Sequence, residues 1–152
     1  MAEAKNLIKL SIGIIVLNII YSVIVLCLLE AIGINLPGNK MHVEASFSFF
    51  EIIFIVVALE EAVFRLPLAI ALFFRAPKWI LISLICGLST LFGYAHGSFA
   101  NIAIQGVSGV AYSGLFLLAG GLEYNFRRAY LTCVLTHFAY DGVILTAVLI
   151  LK

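Results

Sequence analysis

Apolar residues run along this chain in five long blocks, at about 7–29, 47–73, 79–96, 101–121 and 129–150. Each is close to the ~20 residues a helix needs to cross a bilayer. Between the first two, Pro37, Gly38 and Asn39 read as a turn within the longest connection, about Glu30 to Ser46. The first block follows Lys5 and Lys9 but is too long for a signal-peptide core and has no A-x-A-like exit. It therefore reads as a retained helix. No repeat or low-complexity tract interrupts the pattern. The pattern predicts an all-α fold, a polytopic transmembrane bundle of about five spans, forming one membrane-embedded domain over 1–152.

The polar interruptions are few and clustered. The second block is broken by Glu51, by EEAVFR (Glu60, Glu61 and Arg65 among its residues) and by Pro67. One charge near a bilayer centre opposes insertion by roughly 2.5–3.5 kcal/mol, so three together oppose it by several. Ionisable groups held at that cost usually pair with one another, face a watery cavity and serve a function. Further polar residues lie in FGYAH, which ends the third block at His96, and in THFAYD, which contains His137 and Asp141 in the fifth.

Composition agrees with the pattern: 64% hydrophobic, 11% charged, mean hydropathy +1.18. These values lie outside the range of soluble domains. The net charge of +1 is uninformative, and no basic run suggests nucleic acid, so none is expected as a partner. Cys27, Cys86 and Cys133 stand alone in apolar stretches and are expected to be reduced core residues. With the N-terminus in the cytoplasm, Lys5, Lys9, Arg75, Lys78, Arg127 and Arg128 fall inside and only Lys40 and Lys152 outside. That bias predicts N-terminus in and C-terminus out. Trp79, Tyr124 and Tyr130 then fall near the inner boundary, and Glu51 and His42 near the outer one.

Helical spacing makes each polar group coherent. Glu61 and Arg65, Phe92 and His96, and His137 and Asp141 are each four residues apart and share a face. At about 1.5 Å per residue, Glu60 and Asp141 each lie roughly 18–20 Å from the start of their helices, so they can meet near mid-membrane. His96 falls nearer the outer end. One interior cavity between the bilayer centre and the outer face, open to water outside, would collect all three groups.

A carboxylate in such a cavity can take a proton from water, one histidine can hold that water, and another can donate to a developing oxyanion. Glu, His and His around one cavity thus suffice for peptide hydrolysis. No serine or cysteine has an obvious activating partner. Two Glu and two His can also coordinate zinc. Yet there is no HExxH, and Arg65 beside the carboxylates disfavours a cation there, so on the residues alone the zinc reading is weakened but stays open.

EEAVFR, FGYAH and HFAYD, in that order on separate helices, resemble the three motifs of the CPBP family. These are the CAAX-processing and bacteriocin-processing (Abi) intramembrane proteases, enzymes of glutamic type. The motifs read roughly EExxxR, FxxxH and HxxxN or HxxxD, and the resemblance covers Glu60 to Asp141. It implies a metal-free mechanism, so no metal and no cofactor is assigned, and it implies that Glu60 activates the attacking water and that His96 positions it. Glu61 and Arg65 would be a supporting pair that orients Glu60, and His137 would belong to the oxyanion site. Asp141 stands where asparagine is often found. An ionised carboxylate cannot donate to an oxyanion, so Asp141 is either protonated or orients His137. The chain keeps the motif-bearing core plus one leading helix, which fits a small specialised subgroup or a bundle completed by homo-oligomerisation.

Plainer readings exist for each part. Glu61–Arg65 can be a pair that neutralises charge for insertion, His96 an interfacial residue, and His137–Asp141 an interhelical hydrogen bond. Phe92 reads as packing. Gly106, Ser108, Gly109, Ser113 and Gly114 read as a surface for close helix contact, and Gln105 as a polar rim. Joint occurrence favours one active site, and an intramembrane endopeptidase acting on a membrane-tethered peptide or protein is the expectation. An outward-facing site favours C-terminal sorting anchors, as in the myxosortase-like group, or leader peptides over prenylated CaaX tails, which lie in the cytosol. The contrasting expectation is a bacteriocin-immunity or helper membrane protein that uses the cavity for binding or proton transfer. A prokaryotic cell membrane is the expected location.

Overall fold

The computed structural model describes residues 2–34, 47–97 and 99–150, and these are helical throughout, without a strand. Five long elements follow one another: α1 (Ala2–Ala31), α2 (Phe47–Phe73), α3 (Lys78–Ala95), α4 (Val107–Leu118) and α5 (Phe126–Ile150). Pro37, Gly38, Asn39, Lys40, His42 and Lys152 lie outside the described residues, as does the side chain of Glu51. The second block coincides with α2, while α1 is longer than expected and α3 starts one residue earlier. The fourth block divides: a π-helical turn, Ile102–Gly106, runs into α4, and a 3-10 turn, Gly121–Glu123, leads on to α5.

Local chemistry sets the helix ends. At the end of α1, Gly33 takes a left-handed conformation (φ 77°) while Ile34 N–H donates to Leu29 O at 2.9 Å. This is the cap that satisfies carbonyls left over at a C-terminus. Arg75 does the same for α2 at φ 53°, with Ala76 N–H donating to Ala71 O at 2.8 Å. Pro77, extended at φ −62° and ψ 153°, then blocks continuation and starts α3.

Three helical stretches are long and apolar enough to cross a bilayer: Ala4–Ala31, Lys78–Ala95 and Ile102–Glu123. With Ile12, Leu17, Leu59, Leu66 and Ile82 among many exposed large apolar side chains, they make this a membrane protein. Helices α2 and α5, of 27 and 25 residues, carry the ionisable groups between them and are not among the three.

Packing has two parts. Leu68 and Leu72 of α2, Tyr112, Leu115 and Phe116 of α4 and Cys133 of α5 form the apolar core. The contact of α3 with the π turn and α4 is closer. A Cβ built on Gly93 would sit 2.6 Å from Ile102 Cα, and one on Gly109 would sit 3.1 Å from Ser89 Cα. Only glycine lets these backbones approach so closely. Gly106 also serves this contact, against Ser89 O, whereas Gly114 faces open space, contrary to expectation.

Helix α1 is inverted relative to a soluble amphipathic helix. Its buried residues are Asn18 and Ser22 among the described ones, while Ile8, Ile12, Leu17, Ile20 and Ile24 are exposed and Leu7, Leu10 and Ile14 pack partly against the core. Thr136 Oγ1 donates to Ser11 Oγ at 2.9 Å, Tyr21 OH to Ala103 O at 2.7 Å, and Ser22 Oγ lies 3.3 Å from Tyr140 OH. In lipid, where apolar surface gains nothing by leaving its surroundings, such bonds hold a helix in place. The expectation of three core cysteines is corrected: Cys133 is buried, but Cys27 and Cys86 are exposed on the outer surface. Trp79 and Tyr124 are exposed, but Tyr130 is half-buried and donates to Ala58 O at 2.8 Å.

Candidate functional site

The EEAVFR and HFAYD motifs meet. Glu61, 1% exposed, has one carboxylate oxygen on each of two partners: Oε2 accepts from Arg65 Nε at 2.7 Å, and Oε1 is 2.9 Å from His137 Nδ1. The first bond follows from spacing, since residues four apart on a helix are neighbours. The second crosses from α2 to α5 and needs the fold. Arg65, 2% exposed, reaches α4 as well, donating from Nη1 to Ser113 Oγ at 2.6 Å. Ser113 passes its own proton to Gly109 O at 2.8 Å. A guanidinium fork is suited to such simultaneous contacts, which a lysine could not reproduce.

The supporting pair therefore acts on a different residue from the one expected. Among the described hydrogen bonds, Glu61 and Arg65 hold His137 and Ser113, and none runs to Glu60. With Nδ1 bonded to Glu61, His137 presents Nε2 toward Asp141, whose Oδ2 is 3.7 Å away. That separation is too long for a hydrogen bond, and the Asp141 side chain is 35% exposed. His137 thus lies between a buried carboxylate on one nitrogen and a partly exposed carboxylate near the other.

Glu60 is half-buried, on the α3 side of Glu61, and lies within electrostatic range of both His137 and Asp141. His96 is exposed at the end of α3 and also within range of Asp141. Its Nδ1 is 2.7 Å from Phe92 O, a carbonyl that can only accept. Nδ1 therefore carries a proton and donates it, and Nε2 makes no described hydrogen bond. Phe92, 1% exposed, is more than filler. Its ring contacts His96 at 4.6 Å and His137 at 5.9 Å between centroids, and so bridges the two histidines.

Three residues were missed as site components. Ser113 read only as a small packing residue, yet it is an acceptor for Arg65. Tyr112, fully buried, stacks on His137 with centroids 4.8 Å apart and planes at 25°. Asn18 approaches the Tyr112 hydroxyl from α1. A lone asparagine in an apolar run was a readable signal for Asn18. Nothing in the sequence distinguished Tyr112. Arg65 also lines an apolar groove of about 310 Å³ with Ala62, Leu66, Ala69, Phe116 and Tyr130, on the flank of α2 away from Glu60. Among the described residues no group of three or more His, Cys, Asp or Glu side chains has an arrangement that could hold a metal ion.

Fold and site together define an all-helical membrane protein with a buried carboxylate, guanidinium and imidazole centre. The chain matches no protein-family profile, curated protein or solved structure to which it was compared.

Proposed function

We propose that this chain is an intramembrane endopeptidase of glutamic type, of the CPBP kind, crossing the membrane five times and cleaving a membrane-tethered peptide or protein. One observation supports the reading above others: the Glu61–His137 bond joins the EEAVFR and HFAYD motifs across 76 residues, with His96 of FGYAH in electrostatic range of Asp141. Glu60 takes a proton from a water held by Nε2 of His96, and the water oxygen attacks the peptide carbonyl carbon. His137, fixed through Nδ1–H by Glu61 and carrying a second proton on Nε2 as the imidazolium, directs that N–H at the oxyanion, with Asp141 protonated or ordering that nitrogen. Collapse breaks the C–N bond, and the proton held by Glu60 passes to the leaving amine. The substrate class is a C-terminal sorting anchor or a leader peptide, reached from the extracytoplasmic side of a prokaryotic inner membrane.

Purified protein and a lipid-tethered peptide test this reading, comparing wild type with Glu60→Ala and His96→Ala. Cleavage lost in both variants is the expected result; undiminished cleavage in both would sink the proposal. A non-catalytic immunity or helper protein is the second reading. It is favoured by the buried ion pair of Glu61 with Arg65 and by the exposure of His96. That reading requires both variants to keep full biological activity.

A further inference from the structure

We propose that Tyr112 is a positioning residue whose ring sets the plane of the His137 imidazole; its effect on turnover rests on the hydrolytic reading, but its geometric part does not. The hydrogen bond from Nδ1 to Glu61 restrains one edge of the imidazole, and the ring can still rock about Cβ–Cγ within the angular tolerance of that bond. The final side-chain torsion of histidine is itself broad and roughly two-fold. A flat ring stacked at 4.8 Å and 25° removes that freedom, because tilting the imidazole would drive it into the Tyr112 face. Phe92 meets the same imidazole edge-on at 71° and adds a second wall.

Tyr112 is itself held rigidly. It has no exposed surface, its carbonyl accepts from Cys133 Sγ at 3.4 Å, and α4 is tied to α2 through Arg65 and Ser113 and to α3 through Gly109. Its hydroxyl is buried and has no hydrogen-bond partner among the described residues. The Asn18 side chain is what approaches that hydroxyl, whereas the ring face is what meets the imidazole, so the ring is the part that sets its plane. Tyr112→Phe keeps the stack, whereas Tyr112→Leu keeps bulk but loses the flat face.

Histidine-selective ¹⁵N labelling reads the ring directly, since the chain has three histidines and His137→Asn identifies the His137 signals. Wild type and Y112F should each show one His137 ring orientation with Nδ1 protonated, while Y112L should show exchange between orientations. On the lipid-tethered peptide, Y112F should match wild type, and Y112L should lose about 100-fold in kcat with KM unchanged. Averaged His137 signals in wild type or in Y112F would overturn the proposal even if Y112L does not fold. So would a Y112L protein with a single ring orientation, or a Y112F protein as impaired as Y112L. If no cleavage is found with any variant, the hydrolytic reading fails while the spectra still decide the role of Tyr112.

Discussion

Glu61 Oε1 lies 2.9 Å from His137 Nδ1, and both side chains are buried where α2 meets α5. Losing either partner leaves a buried polar group unsatisfied, at a cost of about 1–3 kcal/mol or more for a charged one. Glu61→Leu and His137→Leu should each destabilise the protein, and the double variant should cost less than their sum. A coupling of about 0.5–3 kcal/mol is expected from unfolding of the four proteins in one detergent. Strict additivity would contradict the contact.

The two adjacent glutamates should separate. Glu60 is half-buried and makes no described hydrogen bond, so Glu60→Gln should leave thermal stability unchanged. As the proposed general base, its loss should cost about 10²–10⁴-fold in cleavage. Glu61→Gln should lower thermal stability as well as activity. The paired melting curves and rates check this, and a destabilised Glu60→Gln protein would reverse the assignment.

Arg65 is the charge partner that keeps Glu61 inside the bundle. Arg65→Met should destabilise by about 3–5 kcal/mol because it strands a buried carboxylate. Replacing both residues in Glu61→Leu/Arg65→Met should recover much of that loss, although activity should not return. Arg65→Lys should not rescue, since one ammonium cannot serve Glu61 and Ser113 as the fork does. Denaturation midpoints of the three variants decide the point.

Gly93→Ala should force α3 away from the π turn, because its Cβ would sit 2.6 Å from Ile102 Cα. A loss of about 1–3 kcal/mol or more is expected. His96, three residues further along, should move with it and lower activity. Gly114→Ala, facing open space, is the matched control and should be silent in both assays.

Thiol accessibility checks the packing of the outer surface. Cys27 and Cys86 are exposed and Cys133 is buried. A membrane-permeant maleimide should label the first two well before the third, as read by mass spectrometry of the digested protein. Equal labelling of all three would contradict the packing of α5 against α4.

Much of the fold was legible because bilayer crossing imposes a length and an apolar composition that a sequence displays directly. Block 47–73 matches α2 at both ends, and block 79–96 differs from α3 by one residue at each end. The i,i+4 spacing of Glu61 and Arg65 likewise foretold their bond, since both lie on one helix. The exposed cysteines and the role of Ser113 were not legible. In so apolar a chain, hydropathy does not say which face of a helix meets lipid and which meets a neighbour.

The sequence by itself determined the class of molecule, an all-helical membrane protein, and the few ionisable residues that give it chemistry. It did so because a charge within an apolar helix is costly wherever that helix packs. Only the tertiary structure decided how those residues are shared out. It gave Glu61 to His137 rather than to Glu60, set Tyr112 against the imidazole, and left Glu60 half-buried beside Asp141. Contacts within a helix follow from its fixed pitch, but contacts between helices depend on crossing positions set by Gly93 and Gly109, and no single helix encodes those.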